Sequence, residues 1–146
     1  MGRLTKRLVT SHNTSTIHST CISYATEQTS SIYTYVKQHA TRFVDISNIT
    51  SDSHAAEYIY DHIPLDILVD ITSHTYNNRI TIAALKPSTI VINYLGWPGT
   101  TGCEGFDYSI GTAVYFDTNM CTVCICYQYM HSNTVCIMPK YYTLAN

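Results

Sequence analysis

The residues best suited to bind a ligand lie in a short glycine-rich segment. Five of the six glycines of this 146-residue chain fall between positions 96 and 111, and glycine permits backbone conformations that a Cβ atom forbids. The segment 94–102 (YLGWPGTTG) follows a predicted strand, which places bare amides and the hydroxyls of Thr100 and Thr101 at the ligand edge of a sheet. Such a segment suits a phosphate or a sugar, but ordinary surface loops have the same composition. Its glycine spacing matches neither the dinucleotide fingerprint nor the Walker-type phosphate loop.

Cysteines form a second candidate site. Cys121, Cys124 and Cys126 lie close together, with His131 and Cys136 downstream, and thiolates at such spacing could bind zinc or an iron–sulfur cluster. The same run suits a buried strand or helix face, because a free cysteine behaves as a small hydrophobe. We therefore predict no metal, and a cysteine-based metal-binding module stays an alternative.

An alternation of strands and helices must position these residues. The apolar patterns predict strands over residues 17–24, 43–46, 65–71 and 88–94, and helices over residues 4–9, 32–40, 52–62 and 79–85. The run 65–71 is nearly continuous in apolar residues, which is typical of a strand covered on both faces. Asp66 and Asp70 share one face of this strand, and we assign them structural roles. The order of elements predicts a Rossmann-like, mostly parallel sheet with helices on both faces and a ligand crevice at the carboxyl ends of the strands.

The composition narrows the possible functions. The net charge is -2 and only 12% of the residues are charged, so no basic patch is available to neutralise several nucleic-acid phosphates. No apolar run approaches the roughly 18 residues of a membrane span, and no signal-peptide pattern is present. We predict a single soluble domain over residues 1–146, without nucleic acid or a membrane as a partner.

Several segments resemble the O-linked N-acetylglucosamine transferases. YLGWPGTTG is similar to the family's WLGYPGTSG-type signature, and His74, Thr75 and Arg79 fall on the matching positions of a GHT-x-x-x-R segment that follows a strand. Three further segments resemble the family's H-F-I-D-L-S, A-x-R-P and M-D-Y elements, namely 42–47 (RFVDIS), 84–87 (ALKP) and 107–108 (DY). The likeness covers residues 3–112 well, whereas residues 113–146 match poorly.

The resemblance implies a fold and an activity. The chain would be the N-terminal, acceptor-side half of a catalytic domain that is built from two Rossmann-like halves. The activity would be transfer of N-acetylglucosamine from UDP-N-acetylglucosamine to Ser or Thr of nuclear and cytoplasmic proteins, without a further cofactor. The implied partners are the UDP-sugar, the acceptor proteins and a missing C-terminal catalytic half, and this chain would be inactive alone.

The resemblance also implies a set of cleft residues. His74 is the candidate catalytic residue, because its ring could hydrogen-bond a sugar hydroxyl or transfer a proton near neutral pH, although a histidine in a polar turn often only hydrogen-bonds locally. Arg79 would place its guanidinium near a donor phosphate or an acceptor carbonyl. The other predicted substrate-binding residues are Tyr76, Leu95, Gly96, Pro98, Thr100 and Thr101.

Three positions depart from the family pattern. Ser73 replaces a glycine, Val91 replaces a glutamine, and Thr112 stands near a usual aspartate. Degeneration and divergence within a functional lineage both explain such changes. A non-catalytic Rossmann-like binding or assembly module therefore stays an alternative.

Overall fold

Parallel strand pairs joined by helices organise this protein. The structure, a computed structural model, describes residues 2–94, 101–111, 125–126 and 136–139. The chain divides into two units, Met1–Thr50 and Ser51–Asn146, and the prediction of a single domain stays a prediction. None of the helices in these described ranges has the length and apolarity needed to cross a lipid bilayer.

The first unit contains one pair of parallel strands. Its elements are α1 (Gly2–Thr10), β1 (Thr20–Ser23), α2 (Ser31–His39) and β2 (Arg42–Asp45), with β1 parallel to β2. α2 begins after Ser30, whose hydroxyl accepts a hydrogen bond from the Tyr33 N–H and so caps the helix. It packs against α1, where Lys6 Nζ lies 4.5 Å from the centre of the Tyr35 ring.

The second unit contains a five-stranded sheet. Its elements are α3 (Asp52–His62), β3 (Ile67–Asp70), α4 (Ile80–Ala84), β4 (Ile90–Tyr94), β5 (Tyr108–Gly111), β6 (Ile125–Cys126) and β7 (Cys136–Pro139). The strand order is β3-β4-β5-β7-β6, in which β3, β4 and β5 are parallel and β7 is antiparallel to both its neighbours. The Rossmann-like prediction is confirmed by the parallel strands. The antiparallel pairing joins β7 to β5 and to β6.

Local contacts set the ends of α3 and α4. α3 covers the predicted residues 52–62 and is capped by Ser51, whose side chain accepts from the His54 N–H. α4 begins at Ile80 because the backbone of Arg79 is not helical (φ -129°, ψ 50°), and it ends before Lys86, which adopts a left-handed conformation (φ 57°).

The predicted first strand is also shorter than expected. Strand pairing covers Thr20–Ser23, whereas the prediction began at Ile17, which is 53% exposed. Ile17 does not pair with β2, so an extended backbone there would gain no hydrogen bonds between strands. The strand therefore begins at Thr20, where pairing with β2 begins.

β3 differs most from its prediction. The apolar run predicted a strand over 65–71 that is buried on both faces, but the strand covers Ile67–Asp70 and has Ile67 and Val69 48% and 43% exposed. The reason is its position, since β3 lies at the edge of the described sheet.

One face of this sheet carries a hydrophobic cluster of the second unit. Ala83 of α4, Val91 of β4 and Phe106 are buried together, with Leu68, Ile80 and Cys103 packed against them. Leu68 and Val91 are partners in the parallel register, so they share a face. Burying such side chains contributes about 1.5–3 kcal/mol each, which fixes α4 and the segment 101–106 on this face.

Gly105 allows that segment to approach α4. A Cβ atom at this position would collide with the backbone carbonyl of Ala84. Main-chain atoms cannot rotate away as a flexible side chain does, so a larger residue would push the segment off the helix.

We predict that Gly105→Ala lowers the free energy of unfolding by about 3 kcal/mol, the upper range for overpacking. Gly102→Ala is the matched control, because Gly102 has φ 65° but no atom within 4 Å of an added Cβ, and it should cost about 1 kcal/mol. Urea unfolding followed by circular dichroism measures both. Equal losses in the two variants would contradict the close approach.

Candidate functional site

A polar row lies at the carboxyl ends of the parallel strands. Asp70, the last residue of β3, is in register with Asn93 of β4, which is in register with Ser109 of β5. Since side chains alternate along a strand, this row shares its face with Leu68 and Val91. The loops that follow β3 and β4 therefore leave the sheet beside three polar side chains, at the edge where open α/β sheets bind ligands.

The carboxylate of Asp70 organises the loop after β3. Its Oδ1 accepts hydrogen bonds from the Thr72 N–H (2.9 Å) and the Thr72 hydroxyl (2.7 Å), and its Oδ2 accepts from the Ser73 N–H (3.0 Å). This aspartate turn satisfies backbone groups that would otherwise need water. The predicted structural role of Asp70 is confirmed.

His74 connects the loop after β3 to the loop after β4. Its Nε2 lies 2.8 Å from the carbonyl oxygen of Thr101. A carbonyl only accepts, so Nε2 must carry the proton, as it does in one neutral tautomer and in the charged imidazolium. The tautomer that is protonated only at Nδ1 is incompatible with this bond. The Thr101 carbonyl also accepts from Cys103 Sγ at 3.4 Å, so it is an anchor for both loops.

Two buried oxygen atoms at this edge have no hydrogen-bond partner among the described residues. They are Oγ of Ser73, which is fully buried, and Oδ1 of Asn93, which is 2% exposed. Ser73 also has φ 44°, in the left-handed region that favours glycine. The family's glycine at this position thus has a physical reason, and serine introduces both backbone strain and an unsatisfied hydroxyl.

Arg79 forms an ion pair within the second unit. Its Nε donates to Asp52 Oδ1 at 2.7 Å, and the two side chains are only 15% and 29% exposed. Asp52 lies in the first turn of α3 and Arg79 immediately precedes α4, so the pair joins the starts of two packed helices. The predicted ligand-binding cation therefore has a structural partner that the sequence did not reveal.

Asp107 and Lys86 are the counterparts of two further family elements. Asp107 Oδ2 accepts from the Val91 N–H at 2.8 Å, and its Oδ1 accepts from Lys86 Nζ at 2.6 Å. The Asp107 N–H donates to the Val91 carbonyl at 2.9 Å. These contacts align the start of β5 with β4, so Asp107 and Lys86 help to hold the sheet together.

The remaining predicted site residues have different environments. Tyr76 is 94% exposed, and Thr101 is buried with its Oγ1 accepting from the Cys103 N–H at 3.4 Å. The structure brings Thr101 to His74, whereas it leaves Tyr76 pointing to solvent. The predicted residues Leu95, Gly96, Pro98 and Thr100 lie outside the described residues, and their roles stay predictions.

The alternative metal site falls mostly outside the described residues. Cys121, Cys124 and His131 are not described, and of Cys126 and Cys136 only the strands are. Within the described part of the chain, no three His, Cys, Asp or Glu side chains are grouped so as to hold a metal ion. Neither Cys21 nor Cys103 forms a disulfide with another described residue.

The sequence did not point to a hydrogen-bonded cluster in the first unit. Asp45 Oδ2 accepts from Gln28 Nε2 (2.8 Å) and from the Tyr33 hydroxyl (3.2 Å), and its Oδ1 accepts from the Ser47 N–H (2.9 Å). Partial burial alone would raise the pKa of Asp45, but these hydrogen bonds outweigh burial and lower it. A cavity of about 390 Å³ lies beside the cluster, lined by Gln28, Tyr33, Thr34, Lys37 and Gln38. The residues that line this cavity do not form a recognisable sequence motif. No signal in the sequence could therefore have identified them as a group.

Comparison with known proteins places this geometry in a family. A sequence model described as glycosyl transferase family 41 matches residues 2–145. A UDP-N-acetylglucosamine-peptide N-acetylglucosaminyltransferase of Caenorhabditis elegans is 30% identical over 103 residues, which are 70% of this chain and 9% of that protein. A probable enzyme of the same name, SEC of Arabidopsis thaliana, is 28% identical over 99 residues, which are 68% of this chain and 10% of that protein. The chain thus spans about a tenth of the length of these relatives.

A solved structure confirms the fold. A variant of the O-GlcNAc transferase of Thermobaculum terrenum superposes with a TM-score of 0.69 at 22% identity. The superposition covers 76% of this chain and 21% of the solved chain. The likeness supports the Rossmann-like arrangement of parallel strands described above.

We predict that Ser73→Gly raises the free energy of unfolding by about 1 kcal/mol. The change removes a buried unsatisfied hydroxyl, which costs about 1–3 kcal/mol, and it also removes the left-handed backbone strain. Glycine increases the conformational entropy of the unfolded chain, which offsets part of this gain. Ser73→Ala is the control, since it removes the hydroxyl and keeps the strain. Urea unfolding should order the stabilities as Gly above Ala above Ser. A Ser73→Gly variant less stable than the parent would refute this explanation of the family's glycine.

The Asp45 cluster predicts a specific acid response. Because the pKa of Asp45 is lower in the folded than in the unfolded state, the carboxylate stabilises the fold above its unfolded pKa of about 3.9, and this stability is lost as the pH falls through the folded pKa. Asp45→Asn should therefore lower stability at about pH 6 and have little effect at about pH 2. Tyr33→Phe removes one donor and should give a smaller loss at the higher pH. An equal loss from Asp45→Asn at both pH values would show that the charge is not involved.

Proposed function

Because this chain belongs to glycosyl transferase family 41, we propose that it forms the acceptor-side half of a protein O-linked N-acetylglucosaminyltransferase. The reaction moves N-acetylglucosamine from UDP-N-acetylglucosamine to Ser or Thr hydroxyls of acceptor proteins, in the cytoplasm, the nucleus or both. The names of its relatives in Caenorhabditis elegans and Arabidopsis thaliana support this donor and acceptor class.

The observation that carries the proposal is the hydrogen bond from His74 Nε2 to the Thr101 carbonyl. It joins the loop after β3 to the end of the glycine-rich segment at the carboxyl edge of the parallel strands, which is where open α/β sheets bind nucleotides. A site whose main-chain atoms contact a sugar needs loops that already have the binding conformation before the ligand binds. The bond supplies that restraint between residues 27 positions apart.

His74 acts in this proposal mainly by holding the loop. Its Nε2 proton is donated to Thr101, so a proton transfer or a hydrogen bond to a sugar hydroxyl would use Nδ1. The glycine-rich residues Leu95, Gly96, Pro98 and Thr100 would contact the sugar or the acceptor backbone. Tyr76, which is exposed, would contact the acceptor protein.

Turnover would require more of the catalytic domain than these 146 residues. The chain covers 21% of the solved transferase chain, and the resemblance implies that a second Rossmann-like half would bind most of the nucleotide sugar. The proposal therefore assigns to this chain weak binding of the UDP-sugar and contacts to the acceptor, without turnover in isolation.

A non-catalytic binding or assembly module is the second candidate. The Arg79–Asp52 ion pair favours it, because a guanidinium that neutralises a carboxylate inside the unit is less available to a phosphate. The two functions differ in the role of Arg79. In a transferase the Arg79 guanidinium would contact an added nucleotide sugar, whereas in a non-catalytic module it would only pair with Asp52.

We predict saturable, about millimolar binding of UDP-N-acetylglucosamine to the folded chain, weakened at least about tenfold in Arg79→Ala, as expected for loss of a charge-assisted hydrogen bond. Asp52→Asn is the matched control, since it breaks the same ion pair and keeps the guanidinium. Its affinity should stay within about threefold of the parent. Chemical-shift titration measures the affinity, and circular dichroism verifies that each variant is folded.

Two outcomes would contradict the transferase proposal. The absence of binding to the folded parent chain would favour the non-catalytic module. Equal weakening by Arg79→Ala and Asp52→Asn would show that the ion pair supports the fold and that Arg79 does not contact the ligand.

A further inference from the structure

The first unit has its own polar cluster at the carboxyl ends of parallel strands. Ser23 and Asp45 are the last residues of β1 and β2 and are partners in the parallel register. The loop that follows β1 places Gln28 Nε2 2.8 Å from the Asp45 carboxylate. Since open α/β sheets bind ligands at this edge, the cavity of about 390 Å³ beside the cluster is a candidate site. It goes beyond the proposed transferase function and shares no residue with that site.

The size and walls of the cavity suit a small polar ligand. Its volume lies at the lower end of the roughly 300–1,000 Å³ that is typical of small-molecule sites. The walls come from the loop before α2 and from one face of α2. The lining residues are Gln28, Tyr33, Thr34, Lys37 and Gln38. Each of them carries a polar side-chain atom, and the tyrosine adds an aromatic ring.

Part of this wall offers hydrogen-bond acceptors. Gln28 Nε2 donates to Asp45 Oδ2 at 2.8 Å and to Ser47 Oγ at 3.3 Å, which uses both of its N–H groups and leaves Oε1 as an acceptor. The Tyr33 hydroxyl donates to Asp45 at 3.2 Å, and the Thr34 hydroxyl donates to the carbonyl of the N-cap residue at 3.3 Å. Both hydroxyl oxygens therefore keep lone pairs that can accept from a ligand.

Another part of the wall offers donors. Lys37 Nζ lies 5.8 Å and 5.9 Å from the centres of the Tyr33 and Phe43 rings. Among the residues that the structure describes, Lys37 forms no ion pair, so its ammonium can donate to a ligand. The next residue along α2, Gln38, carries a side-chain amide with two more N–H groups. The cavity thus combines donors with acceptors.

A ligand rich in hydroxyl groups matches such walls. A hydroxyl both donates and accepts, and neighbouring hydroxyls on a sugar ring can bond to donors and acceptors that lie side by side. The half-buried Tyr33 ring has a negative face, which attracts C–H groups such as those of a sugar ring. An extended peptide presents only one backbone donor and one acceptor for each residue, so fewer of its groups would reach walls formed by one loop and one helix face.

The charges beside the cavity favour a neutral ligand. Burial alone would raise the pKa of Asp45, but its hydrogen bonds lower it, so the group is ionised at neutral pH. This carboxylate would repel an anion, and the Lys37 ammonium would repel a cation. A sugar without a charged substituent meets neither repulsion.

Asp45 also orders the wall before a ligand binds. Its Oδ1 accepts from the Ser47 N–H at 2.9 Å, while its Oδ2 accepts from Gln28 and Tyr33. Side chains that are already ordered lose less conformational entropy on binding. Two of the five lining side chains are held in this way.

We propose that this cavity of the first unit binds a neutral saccharide unit. The sugar hydroxyls donate to Gln28 Oε1 and to the Tyr33 hydroxyl oxygen, and they accept from the Lys37 ammonium. The Tyr33 ring lies against the C–H groups of the sugar.

The probe for this proposal is methyl β-D-glucopyranoside, a neutral sugar. Chemical-shift titration of the full chain should show saturable binding with a dissociation constant of about 1–10 mM, as expected for a ligand of this size. The largest shifts should fall on the side-chain amides of Gln28 and Gln38. His74 and Thr101 should not shift, which separates this result from binding of the UDP-sugar. The fully O-methylated sugar cannot donate hydrogen bonds and should bind at least about tenfold more weakly.

Lysine variants test the same wall independently. Lys37→Met removes the ammonium and keeps an apolar stem, so it should weaken binding of the glucoside at least about tenfold. Lys6→Met is the matched control, because Lys6 Nζ also lies over a tyrosine ring of α2, 4.5 Å from the centre of Tyr35, but does not line the cavity. The affinity of this control should stay within about twofold of the parent. Circular dichroism verifies that both variants are folded.

Several outcomes would overturn the proposal. These are the absence of saturable binding to the folded parent chain, equal weakening by the two lysine variants, and shifts at His74 and Thr101 instead of along α2. Tighter binding of glucuronate or glucosamine than of the neutral glucoside would refute the assignment of a neutral ligand. Tighter binding of an acetylated and amidated Ser-Thr peptide would refute the saccharide in favour of a protein segment.

Discussion

The turn held by the Asp70 carboxylate is the constraint on which the candidate site depends. Three hydrogen bonds to Thr72 and Ser73 bend the chain immediately after β3. This bend buries Ser73 in a left-handed conformation and directs His74 toward Thr101. Without it, the hydrogen bond that joins the loop after β3 to Thr101 in the loop after β4 would be lost. The Asp70 carboxylate thus connects the end of β3 to the position of His74 at the edge of the sheet where a ligand would bind.

The order of helices and strands followed from the sequence, because apolar periodicity is a local signal. The helix over Gly2–Thr10 and the strand over Arg42–Asp45 depend on such local signals. The exposure of β3 did not follow, since an apolar run does not state whether a neighbouring strand is present. The close approach permitted by Gly105 also depends on a backbone far along the chain, at Ala84.

The candidate site was predictable only in part. Resemblance to the family located His74 and Arg79, but it could not show that Nε2 of His74 bonds a carbonyl or that Arg79 pairs with Asp52. Both partners lie 27 positions away in the sequence, beyond the reach of local patterns. The departure at Ser73 was visible in the sequence, and its physical meaning required the backbone angle. Family membership supports the proposed reaction, while the long-range contacts decide which residues are available for it.

The most direct test of the account is the protonation state of the His74 ring in the folded chain. A long-range nitrogen–proton correlation spectrum at neutral pH distinguishes the two nitrogens, and the account predicts a proton on Nε2 whose exchange with water is slowed by the bond to the Thr101 carbonyl. A ring protonated only at Nδ1 would contradict the account, because that tautomer cannot donate to the Thr101 carbonyl.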